Sequence, residues 1–384
     1  MYSPSSEDII KHDIEFDAEG ICKICHMHDK FEKNFTEDGR KKLDKIIEEV
    51  KEDGHGKKYD CILGISGGCD SSYSLYLLKE IYGLRVLTYH FDNTWSTTTA
   101  VSNIQKMVGA LDVDYYCHVA DNREYNDAEK AFLEASVSDQ NIVADLVYPT
   151  IGLQLMEKYD VNYSFEGHSY RTEGTVPFGW MYMDGKYIES VLKEFGNYEE
   201  YKTLPVMTAD FWLEQLRKRK GDRIRLLYYF DYDKEKTKEF LSEKFGWEWY
   251  GGHHQENEYT KFVKTYVLPR KFGIDKRFVE FSALIRSGQK ERDEALKELE
   301  TLPEVESEFL EYCKKRLNYS DKEFKSMMDR PIRSYREFDT YIPYFLDNID
   351  ILKELADAGK LPSTFVEKLL IRRDRMLRVT SSQI

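Results

Sequence analysis

The feature that most constrains this chain is a seven-residue string at a strand-to-helix junction, Ser66-Gly67-Gly68-Cys69-Asp70-Ser71-Ser72. Before it, Tyr59 to Ile65 is a short apolar run, as expected of a buried strand. After it, Ser71 to Tyr82 returns to helical spacing and stops at Gly83. The two glycines let the backbone approach an anion closely. Such a turn aims several N–H groups inward, and the helix N-terminus adds a partial positive charge. Ser66, Ser71 and Ser72 bring hydroxyls. Asp70 sits badly against phosphate and is expected to hold Mg2+ or to orient the loop. The string lacks the Gly-Lys-Ser/Thr ending of loops that cradle β- and γ-phosphates for transfer, and the spaced glycines of a dinucleotide fingerprint. It therefore predicts a site for the phosphates of ATP, with AMP and pyrophosphate rather than ADP as products. A glycine turn with a serine helix cap is the plain structural alternative.

The flanking sequence supplies a frame for that loop. Leu43, Ile46, Ile47 and Val50 recur at helical spacing from Gly39 to Asp53. Leu84 to Phe91, Val113 to Val119 and Val161 to Phe165 read as strands. Thr97 to Leu111, Asn126 to Ser136 and Ile142 to Tyr159 read as helices, with Pro149 expected to kink the last. The alternation predicts an α/β fold built on a doubly wound parallel sheet. Ligands in such sheets lie beyond the carboxyl ends of strands. Three polar clusters fall there: Ser66 to Ser72, His90 to Asn93, and Glu166 to Glu173. His90, Asp92 and Gly167 are thus candidate nucleotide contacts, with Asn93 beside them. His168 and Glu173 are candidates for moving protons or holding hydroxyls.

Beyond residue 200 charged helical segments dominate: Ala209 to Lys218, Lys234 to Phe245, Arg277 to Ile285, Glu291 to Leu299, Pro303 to Arg316, Asp321 to Met328 and Pro362 to Arg372. The expected division is an N-terminal segment over 1–56 with a cysteine pair and a helix, an α/β domain over 57–205, and a mainly helical C-terminal domain over 206–384. A net charge of -14 disfavours a nucleic-acid partner. The basic runs Arg217 to Lys220 and Arg372 to Arg378 are short, diluted by acids, and read as solvated helix surface. No apolar run approaches the ~18 residues that cross a bilayer, and no segment resembles a signal peptide. No membrane partner and a cytoplasmic, reducing location are expected. Six cysteines in 384 residues do not make a disulfide framework. Cys22 and Cys25 form half of a zinc ribbon, with His26 and His28 nearby. Without a second pair they read alternatively as vestigial and redox-silent, and are expected to be dispensable for catalysis.

The seven-residue string resembles the signature of the PP-loop ATP pyrophosphatases. That resemblance implies cleavage of ATP between its α- and β-phosphates, transfer of AMP to a carbonyl or amide oxygen, and displacement of AMP by ammonia or sulfur. Two further segments narrow it. One is Phe165-Glu166-Gly167-His168-Ser169-Tyr170-Arg171-Thr172-Glu173-Gly174. The other runs from Tyr250-Gly251-Gly252-His253-His254 through Leu268 to Arg277 and on to Ser287-Gly288-Gln289 and Arg292 to Leu296. With Glu19-Gly20-Ile21-Cys22 they resemble the N-acetyl sugar amidotransferase family. The His168-Ser169 segment is most similar to the branch that makes acetamidino derivatives of pseudaminic acid. The resemblance implies ATP and Mg2+ and an N-acetylated acidic sugar. It also implies ammonia, free or from a separate glutaminase, because residue 2 is Tyr and no Cys-His-Glu glutaminase set is found. It makes Arg270, Lys271, Lys276 and Arg277 candidate cations, and Lys271 a catalytic one beside Asp70, His168 and Glu173. Arg171 becomes a candidate clamp for the sugar carboxylate. Two alternatives stay open. Thiolation of a tRNA base or small molecule usually needs a persulfide cysteine, for which Cys117 alone is thin support. A non-catalytic partner of a glutaminase would have no need of Asp70.

Overall fold

The computed structural model describes residues 16–373 except 178, 179, 220, 222, 362–364, 368, 371 and 372. The expected helix over 362–372 and the basic run over 372–378 lie largely outside the described residues. Helix α1 (Lys23–Glu32) opens on Cys22, whose sulfur accepts the Cys25 N–H at 3.4 Å. Helix α2 (Glu37–Asp53) opens on Thr36, whose hydroxyl accepts the Gly39 N–H at 3.3 Å, and it turns Leu43, Ile47 and Val50 inward.

The sheet follows. Its elements are β1 (Cys61–Gly64), α3 (Cys69–Tyr76), β2 (Val86–Asp92), α4 (Thr98–Leu111), β3 (Asp114–Val119), α5 (Asn122–Ala135), α6 (Ile142–Lys158), β4 (Ser164–Glu166), α7 (Gly185–Phe195), α8 (Ala209–Lys218) and β5 (Arg223–Arg225). All five strands run parallel in the order β3-β2-β1-β4-β5. Ile62, Leu87, Tyr89 and Phe91 face a core shared with α5, α6 and α7. Cys61, Leu63, Ile65, Val86, Phe165 and Ile224 face a second core with α2, α3 and α4. Helices on both faces of a parallel sheet make the fold a doubly wound α/β one.

Several boundaries move for identifiable reasons. Helix α3 starts at Cys69 rather than Ser71, which puts Asp70 in its first turn. A wider turn takes over across Leu77–Ile81. Helix α6 continues through Pro149. Strand β5 is absent from the sequence reading because Arg223-Ile224-Arg225 has one apolar residue, and only Ile224 is buried. It pairs Ser164 with Arg223, Phe165 with Ile224 and Glu166 with Arg225. The sheet therefore continues past residue 205, and a boundary there would divide it.

The rest of the chain is helical: α9 (Lys234–Phe245), α10 (Glu258–Phe262), α11 (Leu268–Lys271), α12 (Arg277–Arg286), α13 (Arg292–Glu298), α14 (Ser307–Arg316), α15 (Asp321–Asp329), α16 (Ile342–Asp347) and α17 (Ile349–Asp357). Tyr259, Phe262, Val267, Leu268, Phe324 and Met327 join the same core as Tyr125, Phe132 and Tyr187, so the helical region and the sheet share one interior. Among the described residues no helix is long and apolar enough to cross a membrane.

One buried acid inside that shared core ties stability to pH. Glu129 on α5 is fully buried. No well-aligned hydrogen bond reaches its carboxyl. Burial pushes its pKa up to about 8, although the Tyr125 and Tyr259 phenols favour its charged form. An acid whose folded pKa is raised stabilises fully below its unfolded value near 4.5 and loses that contribution as pH rises to about 8. Thermal unfolding of the wild type should therefore fall steadily from pH 5 to pH 8. Glu129→Gln should flatten that slope and overtake the wild type at the alkaline end by on the order of 1–3 kcal/mol. Parallel curves for the two proteins would show that Glu129 does not titrate as argued.

Candidate active site

The strand order reverses direction between β1 and β4: β1 leads outward to β2 and β3, and the chain then returns to the other side of β1. A crevice opens at the carboxyl ends of the strands at such a switch point. The loop after β1 and the loop after β4 both empty into it. Gly67 has φ +77, and a Cβ there would lie 2.2 Å from the Ala100 carbonyl oxygen. Its own carbonyl accepts from Asn103 Nδ2 at 3.2 Å and Trp247 Nε1 at 3.0 Å, which pins the peptide plane. The Ser71 hydroxyl lies 3.3 Å from the Ser66 amide and 3.4 Å from the Ser66 hydroxyl. Ser66 in turn reaches Glu256 Oε1 at 3.4 Å. Ser72 does not join them, since it is fully buried with an unpartnered hydroxyl. Gly167 closes the other side: a Cβ there would meet the Ser71 nitrogen at 2.8 Å.

Around this loop the chain gathers charge. Asp70 accepts the Tyr232 hydroxyl on one oxygen and lies 3.4 Å from the Lys234 ammonium on the other. Burial pushes the Asp70 carboxyl up, against the pull of Lys234. Burial by itself would lower Lys234, but Asp70 outweighs it and holds the ammonium above its ordinary range. Lys234 also lies 2.9 Å from His253 Nδ1. His253 is pushed well down by burial and by the neighbouring His254 and Lys234, so it is neutral.

Glu173 pairs with His168 Nδ1 at 2.5 Å and faces His254 Nε2 at 3.9 Å. Burial would raise Glu173, yet the His168 charge and hydrogen bond, with His254 and Lys234, hold it down to about 2. Glu256 faces His254 Nδ1 at 3.8 Å, and that histidine outweighs burial and lowers its pKa. Lys264 completes the ring, pairing with Glu280 at 3.2 Å and donating to the His253 carbonyl at 2.9 Å.

The expected residues divide clearly. Ser66, Gly67, Gly68, Asp70, Ser71, Gly167, His168 and Glu173 come together. His90 is buried, with Nδ1 2.9 Å from the Ile65 carbonyl and Nε2 3.4 Å from the Ser96 hydroxyl, so it braces the ends of β1 and β2. Asp92 caps the turn at Thr94, accepting its N–H at 2.8 Å, and Asn93 is consumed by Tyr125, Trp95 and Asn257.

Arg171 is not an open clamp. It is 8% exposed, and its guanidinium is held at 2.8 Å by Glu32 and at 2.8 Å by Asp231, with the Phe35 ring beneath. Two carboxylates already neutralise it, so it fastens α1 to the loop after β4. Lys271, expected as a catalytic cation, donates instead to the carbonyls of Met327, Met328 and Arg330, closing the end of α15. Arg270 holds the Thr265 and Pro303 carbonyls, and Arg277 holds Asp275 and the Glu298 carbonyl. Burial lowers Lys276, and Asp145 of α6 opposes that shift.

Sequence reasoning missed Tyr232, Lys234, Glu256 and Lys264. The usable signal for the first two was their place just after β5, at the same sheet edge, which was invisible while β5 was unseen. Cys22 and Cys25 stand as a pair; among the described residues no group of three or more His, Cys, Asp or Glu could hold a metal ion.

Residues 256–353 match the family model described as LPS biosynthesis protein WbpG-like, C-terminal domain. That stretch covers α10 through most of α17 and supplies Glu256, Lys264 and Glu280 to the crevice. Over 114 residues the chain is 34% identical to a protein of Methanocaldococcus jannaschii called "Uncharacterized protein MJ1599", a stretch equal to 30% of this chain and 39% of that protein. The chain thus spans well under half the length of that relative. Among solved structures, the NH3-dependent NAD synthetase of Campylobacter jejuni, in complex with nitrate, superposes with a TM-score of 0.32 at 13% identity, over 77% of this chain and 98% of that one. The NMN synthetase of Francisella tularensis does so with a TM-score of 0.24 at 10% identity, over 57% of this chain and 90% of that one. Superpositions this loose say nothing of chemistry.

Two substitutions test the geometry. On the reading proposed below, Gly167→Ala should force the loop after β4 off the Ser71 amide, raising the KM for ATP on the order of tenfold while the protein stays folded; an unchanged KM would separate the two loops functionally. Arg171→Ala should loosen α1, lowering stability on the order of 1–3 kcal/mol and exposing that helix to proteolysis. Its effect on turnover should be the same for acceptors with and without a carboxylate. A loss confined to carboxylate-bearing acceptors would restore the clamp.

Proposed function

We propose that this chain is a PP-loop ATP pyrophosphatase that adenylates the acetamido oxygen of an N-acetyl sugar. Ammonia then displaces AMP to leave an acetamidino group. The observation that carries the reading is the meeting of the Ser66–Ser71 loop, Gly167 and the Asp70–Lys234 pair at the sheet's switch point. The LPS biosynthesis description of the family matching residues 256–353 supports a sugar acceptor destined for a surface glycan. The pseudaminic-type, nonulosonic substrate rests on the resemblance of the segment around His168 and Ser169. With Arg171 engaged, its carboxylate falls to Arg223 and Arg225 on β5. Both pair with Glu166, the residue that precedes Gly167, and two guanidiniums on one carboxylate leave a net positive charge for the sugar.

In this reading the loop amides and the hydroxyls of Ser66 and Ser71 receive the phosphates. Lys234 exchanges its 3.4 Å contact with Asp70, longer than a strong charge-assisted hydrogen bond, for a phosphate oxygen. Asp70, relieved of the ammonium and with Glu173 close enough to raise its pKa, has the donor chemistry for Mg2+. The ion would neutralise charge on the departing pyrophosphate. An amide oxygen is a poor leaving group; as its AMP ester the carbon becomes open to attack by a nitrogen nucleophile. His168 and Glu173, paired through Nδ1, are the groups placed to handle the proton that the entering ammonia gives up. Ammonia comes free or from a separate glutaminase, and the reaction belongs to the cytoplasm, without a nucleic-acid or membrane partner.

Phosphorus NMR of a turnover mixture should show AMP and pyrophosphate; ADP with orthophosphate would overturn the reading. Lys234→Met and Asp70→Asn should each cut AMP formation on the order of 10²–10³-fold, with circular dichroism like that of the wild type. Full turnover in either folded variant would remove the pair from the chemistry.

A further inference from the structure

The cysteine pair at the start of α1 has no part in the proposed reaction, yet its geometry is that of a reactive dithiol. The two sulfurs lie 3.4 Å apart, close enough to bond after a small side-chain rotation. Cys22 is the N-cap of a ten-residue helix, in extended conformation, and its sulfur receives the Cys25 N–H. A helix N-terminus favours a thiolate at that position. Both cysteines are half-buried and reachable from solvent.

Arg286, at the end of α12, supplies a second cation to both sulfurs, and its buried Nε has no hydrogen-bond partner. Burial raises both thiols. At Cys22 the amides of Cys25 and Ile24, the Cys25 thiol and Arg286 overcome that rise and bring the thiol below its ordinary range. At Cys25 burial and the Cys22 sulfur keep it above. The pair is therefore asymmetric: Cys22 is the nucleophile and Cys25 the resolving thiol.

The other cysteines do not compete. Cys61, Cys69 and Cys313 are buried, and burial pushes Cys69 and Cys313 each up to about 12. Cys117 is half-buried and also raised by burial. His26 pairs with Asp17 at 2.7 Å, and His28 is buried edge-on against Tyr170.

We propose that Cys22 and Cys25 form a redox-active dithiol that exchanges with small-molecule disulfides to give an intramolecular Cys22–Cys25 disulfide. The Cys22 thiolate attacks one sulfur of the incoming disulfide and releases one thiolate, leaving a mixed disulfide. Cys25 gives up its proton to that thiolate and attacks the Cys22 sulfur, releasing a second thiolate, which takes from water the proton that Cys22 lost on ionising. One small disulfide is reduced to two thiols while the protein loses two electrons and two protons. This is independent of the ATP chemistry.

The test uses the full chain with excess glutathione disulfide at neutral pH, followed by alkylation and peptide mass spectrometry. The peptide carrying Cys22 and Cys25 should be lighter by two hydrogen atoms and resist alkylation, and dithiothreitol should restore both thiols. Before oxidation, Cys22 should alkylate on the order of tenfold faster than Cys25. Cys25→Ser, unable to resolve the intermediate, should accumulate a glutathione mixed disulfide at Cys22. Free thiols at both positions after oxidation would overturn the proposal, as would stable mixed disulfides on both. So would one tightly bound zinc per chain that protects the pair.

Discussion

The contact between Gly167 and the Ser71 amide is the constraint on which the rest of the site depends. It exists because β1 and β4 are neighbours while the chain between them travels to β2 and β3 and back. That detour leaves a crevice at one sheet edge. Only a glycine at 167 lets the second loop come against the first, since a Cβ would sit inside van der Waals distance of Ser71. His168 and Glu173 follow on the same loop, so the contact also sets how far they stand from the Ser66–Ser71 turn.

Charge is the second organising element. The chain carries a net charge of -14, yet the loop after β1 gathers charges of both signs. The fold resolves this by interleaving. Asp70, Glu173, Glu256 and Glu280 each face a lysine or histidine within the crevice. Buried charges are tolerated only when paired. The carboxylates therefore hold Lys234 and the histidines in place.

The same logic decides which cations are unavailable. Arg171 lies close to the crevice in sequence, but Glu32 on α1 and Asp231 after β5 complete its partners from two distant parts of the chain. Its guanidinium joins the N-terminal helix to the loop after β4. Phe31 and Phe35 pack on Tyr170 beside it and reinforce the joint.

The amino-acid order by itself determined the parts whose physics is local. The strand-turn-helix unit around Ser66–Ser72 was legible because its glycines, serines and flanking periodicities are local. The doubly wound sheet was legible because four short stretches rich in apolar, aromatic and β-branched residues alternate with helical patterns. Strand β5 was not legible: two of its three residues are arginines on an edge, where burial asks for one apolar side chain only. With it went Tyr232 and Lys234, whose nearness to Asp70 spans more than half the α/β fold in sequence. The roles of Arg171 and Lys271 were decided only by tertiary structure. A basic residue's partner is set by which carboxylates and carbonyls packing brings to it, and for these two the partners are Glu32, Asp231 and the end of α15. Local sequence carries propensity and pattern; the pairing of charges across the crevice is a property of the folded chain alone.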